Sequence, residues 1–201
     1  MTLRERVEER RRLGSAEAGA FRGSRAYRNF FEGYEEVAVP RGNGRGVRIE
    51  RIYRGSYYVQ EGSDHVWLRR KVLCLLLYLA SFLCFAAAAW PSYAGNTAAY
   101  TVLAQAVAAL LYLWLFTVVC SYIVSGRRMT VSKYKRAVLP MTNAAAAVSF
   151  VLLLTAAMQV VYCVINRGGA YAWTGAAAYL AAAGFAALLY RQEKNCRYRT
   201  E

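Results

Sequence analysis

The chain has 201 residues, of which 57% are hydrophobic, and its formal net charge is +14. Those figures are compatible only if charge and hydrocarbon are segregated along the sequence, which excludes an ordinary soluble domain. No Asp, Glu, Lys, Arg or His occurs from Val72 to Gly126, from Ala137 to Asn166, or from Gly168 to Tyr190.

Residues 1–71 carry 16 Lys and Arg against 10 Asp and Glu, a net of +6. In residues 1–35, "TLRERVEERRRLGSAEAGAF" predicts a short charged helix followed by a flexible stretch. The like-charged pairs Glu5/Glu9 and Arg6/Arg10 oppose that helix, and Glu8 with Arg11 and Arg12 favours it. Leu3, Val7 and Leu13 cannot build a core, so a partly disordered N-terminus is expected.

Residues 36–62 alternate. Val47, Ile49, Tyr53, Tyr57 and Val59 share one face of an extended chain; Arg48, Glu50, Arg54, Ser56 and Gln60 share the other. This period predicts a small antiparallel β-meander over 36–40, 47–53 and 56–60, with a tight turn at Asn43-Gly44. So few residues bury too little to stand alone, and the meander needs a covering surface: its own chain's middle loop, another copy or a separate protein. Arg interleaved with Tyr can also serve nucleic acid. Tyr and Val are better used as the buried face of the sheet, so nucleic acid is not an expected partner. "GNGRG" lacks both the lysine of a phosphate loop and the full dinucleotide fingerprint.

A basic juxtamembrane segment, 63–71, leads into the first apolar run. A bilayer core takes about 20 helical residues to cross. The 72–126 block is too long for one crossing and is broken at "WPSYAGN", where Pro, Gly, Asn and Ser favour a turn. Four transmembrane helices follow, over 72–90, 97–125, 139–165 and 172–190, with Pro140 tolerated at the start of the third. No signal peptide is visible, and the first helix is expected to be its own insertion signal. The fold class is an all-α integral membrane protein, a four-helix bundle with a cytoplasmic N-terminal β-meander and a basic cytoplasmic tail, 191–201.

Lys and Arg in short loops mark the cytoplasmic side. Arg69, Arg70 and Lys71 precede the first helix. Arg127, Arg128, Lys133, Lys135 and Arg136 lie between the second and third, and Arg191 follows the fourth. With Trp67 these are the expected membrane-interface anchors, and they place both termini in the cytoplasm and the protein in the cell membrane. Orientation alone accounts for these cations; beyond it, the basic face suits a protein partner or anionic lipid headgroups.

Chemistry-bearing residues are few. His65 is the single histidine, and no second His or nearby Cys joins it, so no metal or other cofactor is expected. Cys74, Cys84, Cys120, Cys163 and Cys196 form no CxxC pair and read as small buried hydrophobes. No acid or histidine falls inside a predicted span, which disfavours intramembrane proteolysis and ion-coupled transport. Gln105, Asn143 and Gln159 are the notable intramembrane polar residues; an amide left in hydrocarbon is unfavourable, so they should meet other helices. Dense Ala and Gly let helices approach closely. These features predict a non-enzymatic accessory or scaffold subunit, as a homo-oligomer or with a membrane protein partner. The alternative is an oligomeric small-solute transporter or channel component using Gln105, Asn143 and Gln159 as path residues.

Overall fold

The computed structural model of the chain describes residues 33–40, 47–90, 93–167 and 170–201. The charged helix expected near the N-terminus and the Asn43-Gly44 turn lie outside the described residues. Those described form two compact units: residues up to Tyr57 with Thr130–Ser132, and Tyr58–Met129 with Lys133–Glu201.

In the first unit, β1 (Tyr34–Pro40) pairs antiparallel with β2 (Val47–Tyr53), in a register that sets Tyr34 opposite Tyr53 and Pro40 opposite Val47. Tyr53 packs edge-on against Tyr34 and Tyr57, with ring centroids 5.0 and 4.8 Å away. The amides of Arg54 and Gly55 both donate to Gly33 O. Gly33 has φ +83°, and a Cβ there would lie 2.8 Å from the Tyr53 ring, so only glycine suits this corner. The Tyr53 hydroxyl donates to Ser56 O (2.6 Å) and accepts the Val131 amide (3.1 Å). Val131, from the loop between the second and third apolar helices, thus meets the hairpin through this one bond.

The second unit holds the helices. The order is α1 (Asp64–Ala88), a 3₁₀ turn (Ala94–Thr97), α2 (Ala99–Val124), the short α3 (Val131–Ala137), α4 (Leu139–Ile165) and α5 (Ala170–Lys194). Four of these are long and apolar enough to cross a membrane. α4 packs against α5 and α2, and α1 against α5 and α2, closing a four-membered ring.

Its interior is made of small residues and tyrosines: Ala108, Ala144, Ala145, Ala182, Ala183 and Ala186 with Tyr112, Tyr122 and Tyr179. Leu83, Leu103, Leu110, Phe150 and Ile165 point outward. In water this arrangement would waste the large aliphatic side chains on solvent. In lipid it is the expected one, because helices associate there through close backbone approach rather than hydrophobic drive.

Two expectations are corrected. β3 (Tyr57–Gln60) does not complete a meander with β1 and β2. It sits between β4 (Arg128–Thr130) and β5 (Tyr198–Thr200), pairing antiparallel with β5. Alternation identifies a strand but not its neighbour, and Gly55 ends the hairpin before β3 begins. As a consequence Gln60, assigned to a solvated face, is buried. The helices also run past the apolar blocks: α1 begins at Asp64 and α5 ends at Lys194. Charge marks where hydrocarbon ends, and Arg, Lys, Glu and Gln remain good helix formers.

Candidate functional site: polar clusters at the two ends of the bundle

At the end where α1 hands over to α2, the chain must satisfy the last carbonyls of α1 inside an apolar surround. Asn96, in the 3₁₀ turn, does this. Its Nδ2 donates to Ala88 O (2.7 Å) and Trp90 O (2.8 Å). Its Oδ1 accepts from Gln105 Nε2 (2.9 Å) and from the Tyr179 hydroxyl (3.3 Å), and Gln105 Nε2 also reaches Tyr179 Oη at 2.6 Å. One asparagine therefore ties α1, α2 and α5 together.

Deeper in the bundle, Ser81 Oγ donates to Ala182 O (2.7 Å). That uses its only proton, so in the 2.6 Å bond between Ser81 and Tyr112 the tyrosine is the donor. Ser149 Oγ likewise donates to Ala183 O (3.1 Å).

The other intramembrane candidates fare differently. Gln159 has 0% relative exposure, and neither amide atom has a hydrogen-bond partner among the described residues. It lies against Gly95 so closely that a Cβ on Gly95 would clash with the amide. Asn143 is exposed, in the first turns of α4. Sixteen residues separate it from Gln159, about 24 Å of helix. Gln105, Asn143 and Gln159 are therefore not brought together. We expect Gln159→Leu to leave stability unchanged or raise it by about 1 kcal/mol, because it removes two unsatisfied buried atoms. Gln105→Leu should lower it by about 1 kcal/mol, in keeping with interhelical bonds in lipid. Thermal melts in mild detergent measure both, and equal losses would refute the distinction.

The opposite end gathers the basic residues. Lys71 is 6% exposed; its Nζ donates to Ile123 O (2.6 Å) and to Ser125 O, and lies 4.1 Å from the Trp67 ring centroid. It is a cap on the C-terminal end of α2 rather than a side chain spread into solvent. Arg127 pairs with Asp64 (2.7 Å) and donates to Gly62 O. Arg70 donates to Cys196 Sγ (2.8 Å), and Gln192 Nε2 to Arg70 O (3.0 Å). Arg69, Arg128, Lys133, Lys135, Arg136 and Arg191 are exposed.

Three residues at this end were not anticipated. Glu193, treated as tail, is 4% exposed on the last turn of α5 and accepts the Tyr198 hydroxyl (2.6 Å). Tyr198 leads β5 and packs edge-on to Tyr134, which stacks on Tyr58 at 4.1 Å. Burial and then the Glu193 carboxylate push the Tyr198 hydroxyl up, so it stays a donor. The same two causes push the Cys196 thiol up despite Arg70. The last residues are thus folded onto the helix end as a strand. The signal for this was Tyr198-Arg199-Thr200, too short for a period to show. Among the described residues no three His, Cys, Asp or Glu converge as a metal site. Comparison with protein-family models, curated proteins and solved structures finds no match to the chain.

Proposed function

We propose that the protein is a non-enzymatic accessory or scaffold subunit of the cell membrane. In this reading both termini are cytoplasmic, and the basic end presents a surface to a membrane protein partner. One contrast supports it. Asn96, Gln105, Tyr179, Ser81 and Tyr112 use their polar groups on one another and on helix carbonyls, while exposed Arg and Lys accumulate at a single end. Interior polarity then serves assembly, and the exposed charge is what remains for recognition. The positive-inside tendency puts that end in the cytoplasm.

A tagged full-length chain recovered from membranes in mild detergent should bring down a stoichiometric membrane protein. Deleting residues 1–62 should abolish the association while the bundle still inserts. The transporter reading draws on Gln159, whose amide has no partner among the described residues. A clean homo-oligomer that conducts solute in liposomes, and stops doing so in Gln159→Leu, would establish it and overturn the scaffold.

A further inference from the structure

On the flank of the bundle, α1 and α5 leave a groove of about 420 Å³ lined by Leu73, Leu77, Leu188, Arg191, Gln192 and Asn195. Its size is that of a small-molecule site, roughly 300–1,000 Å³. The lining is graded along the helices. Leu73 and Leu77, four residues apart, form one apolar wall and Leu188 the other; Arg191 and Asn195 stand at the basic end. Arg69, four residues before Leu73 on α1, continues the same helical stripe toward that end. Arg69 and Arg191 are both exposed, and neither side chain has a hydrogen bond or ion pair among the described residues. Gln192 donates through its Nε2 to Arg70 O, so the donors without a partner among the described residues at this end are the Arg191 guanidinium and the Asn195 amide, with the Arg69 guanidinium one turn beyond Leu73.

An apolar slot with Arg191 at its basic end, and Arg69 one helical turn beyond Leu73, matches one kind of membrane molecule. We propose that it binds an anionic phospholipid, with an acyl chain along Leu73, Leu77 and Leu188 and the phosphate held by Arg191 and Arg69. The depth fits: Leu188 lies in the charge-free run and Arg191 is the first residue after it. Guanidinium is suited to phosphate, giving paired N–H donors in a plane. The carbonyl end of α5 repels an anion, so side chains and not backbone must supply the attraction. Other outward leucines, such as Leu103 and Leu110, meet lipid too, but as neighbours of no cation. The assignment rests on the membrane reading and names one lipid class at one place on the basic face.

The test is photo-crosslinking of the full chain in phosphatidylcholine vesicles containing a phosphatidylglycerol analogue with a photoactivatable acyl chain. Label should concentrate on peptides holding Leu73, Leu77 and Leu188 and be competed by phosphatidylglycerol but not phosphatidylcholine. Arg69→Gln and Arg191→Gln should each lower it by roughly five-fold, Arg191→Lys by less, and the surface control Arg199→Gln not at all. Leu77→Trp should block labelling with every charge in place. Label spread evenly around the bundle, or equal labelling by a phosphatidylcholine analogue, overturns the site while the membrane reading stands. A chain that fails to float with the vesicles overturns both.

Discussion

Asn96→Ala is expected to destabilise the bundle by about 3 kcal/mol, enough to change the folded-to-unfolded ratio by about two orders of magnitude. Two bonds to the carbonyls of Ala88 and Trp90 are lost, each worth about 1 kcal/mol where the carbonyl has no ready substitute. The bonds from Gln105 and Tyr179 add about 0.6 kcal/mol each, the average for interhelical bonds in lipid. Asn96→Asp keeps the volume and the acceptor but loses both donors, and sets a carboxylate against two carbonyl oxygens. It should be at least as destabilising as Asn96→Ala. Pairing Asn96→Ala with Gln105→Leu should give less than the sum of the single losses, since the two share a bond. The readout is the thermal midpoint in mild detergent. If Asn96→Asp melts with the wild type, the capping role is wrong, because no carboxylate can make those two bonds.

The signal for Asn96 was present in the sequence but pointed only to a turn. Asn among Pro, Gly and Ser predicts a bend after Trp90; that its amide reaches back to α1 and across to α5 depends on tertiary placement. Gln105 shows the same limit. Its need for a partner followed from the cost of an amide in hydrocarbon, but the partner, Tyr179, lies 74 residues away. Gln159 obeyed the same rule on paper and has no partner among the described residues. The helices themselves were legible because a charge-free run must fit a bilayer. α4 starts and stops where expected, at Leu139 and Ile165. α1 and α5 do not, since Asp64 to Lys71 and Arg191 to Lys194 are helical without being apolar. That misplacement hid Glu193, which the helix carries into a buried position, and the pairing of β5 with β3. Strand pairing is set by what lies beside a segment, and β3 and β5 are separated by most of the chain.

Lys71 brings the topological and structural meanings of a basic residue into direct competition. In the sequence it is one of three cations before the first apolar run, interchangeable with Arg69 and Arg70. In the structure it closes α2, whose last turn is otherwise accounted for. Ser125 N–H turns back to the carbonyls of Ser121 and Tyr122, and Ser125 Oγ donates to Tyr122 O. Ile123 O and Ser125 O go to Lys71. An ammonium there also meets the negative end of the α2 dipole and the face of Trp67. Lys71→Met keeps the length of the side chain and removes the charge. It should lower stability by about 3 kcal/mol: charge-assisted bonds contribute about 1.5–3 kcal/mol each, less the relief of no longer burying an ammonium. Lys71→Arg should fall between, because a planar fork fits two converging carbonyls less well than a point donor. Membrane orientation should not change, since Arg69 and Arg70 still precede the apolar run. The two roles separate cleanly when the thermal midpoint and the sidedness of a single-cysteine reporter are measured on one variant. A variant that melts like the wild type but inserts in mixed orientations would make Lys71 an anchor after all. A large drop in midpoint with orientation intact makes it the cap that joins α1 to α2.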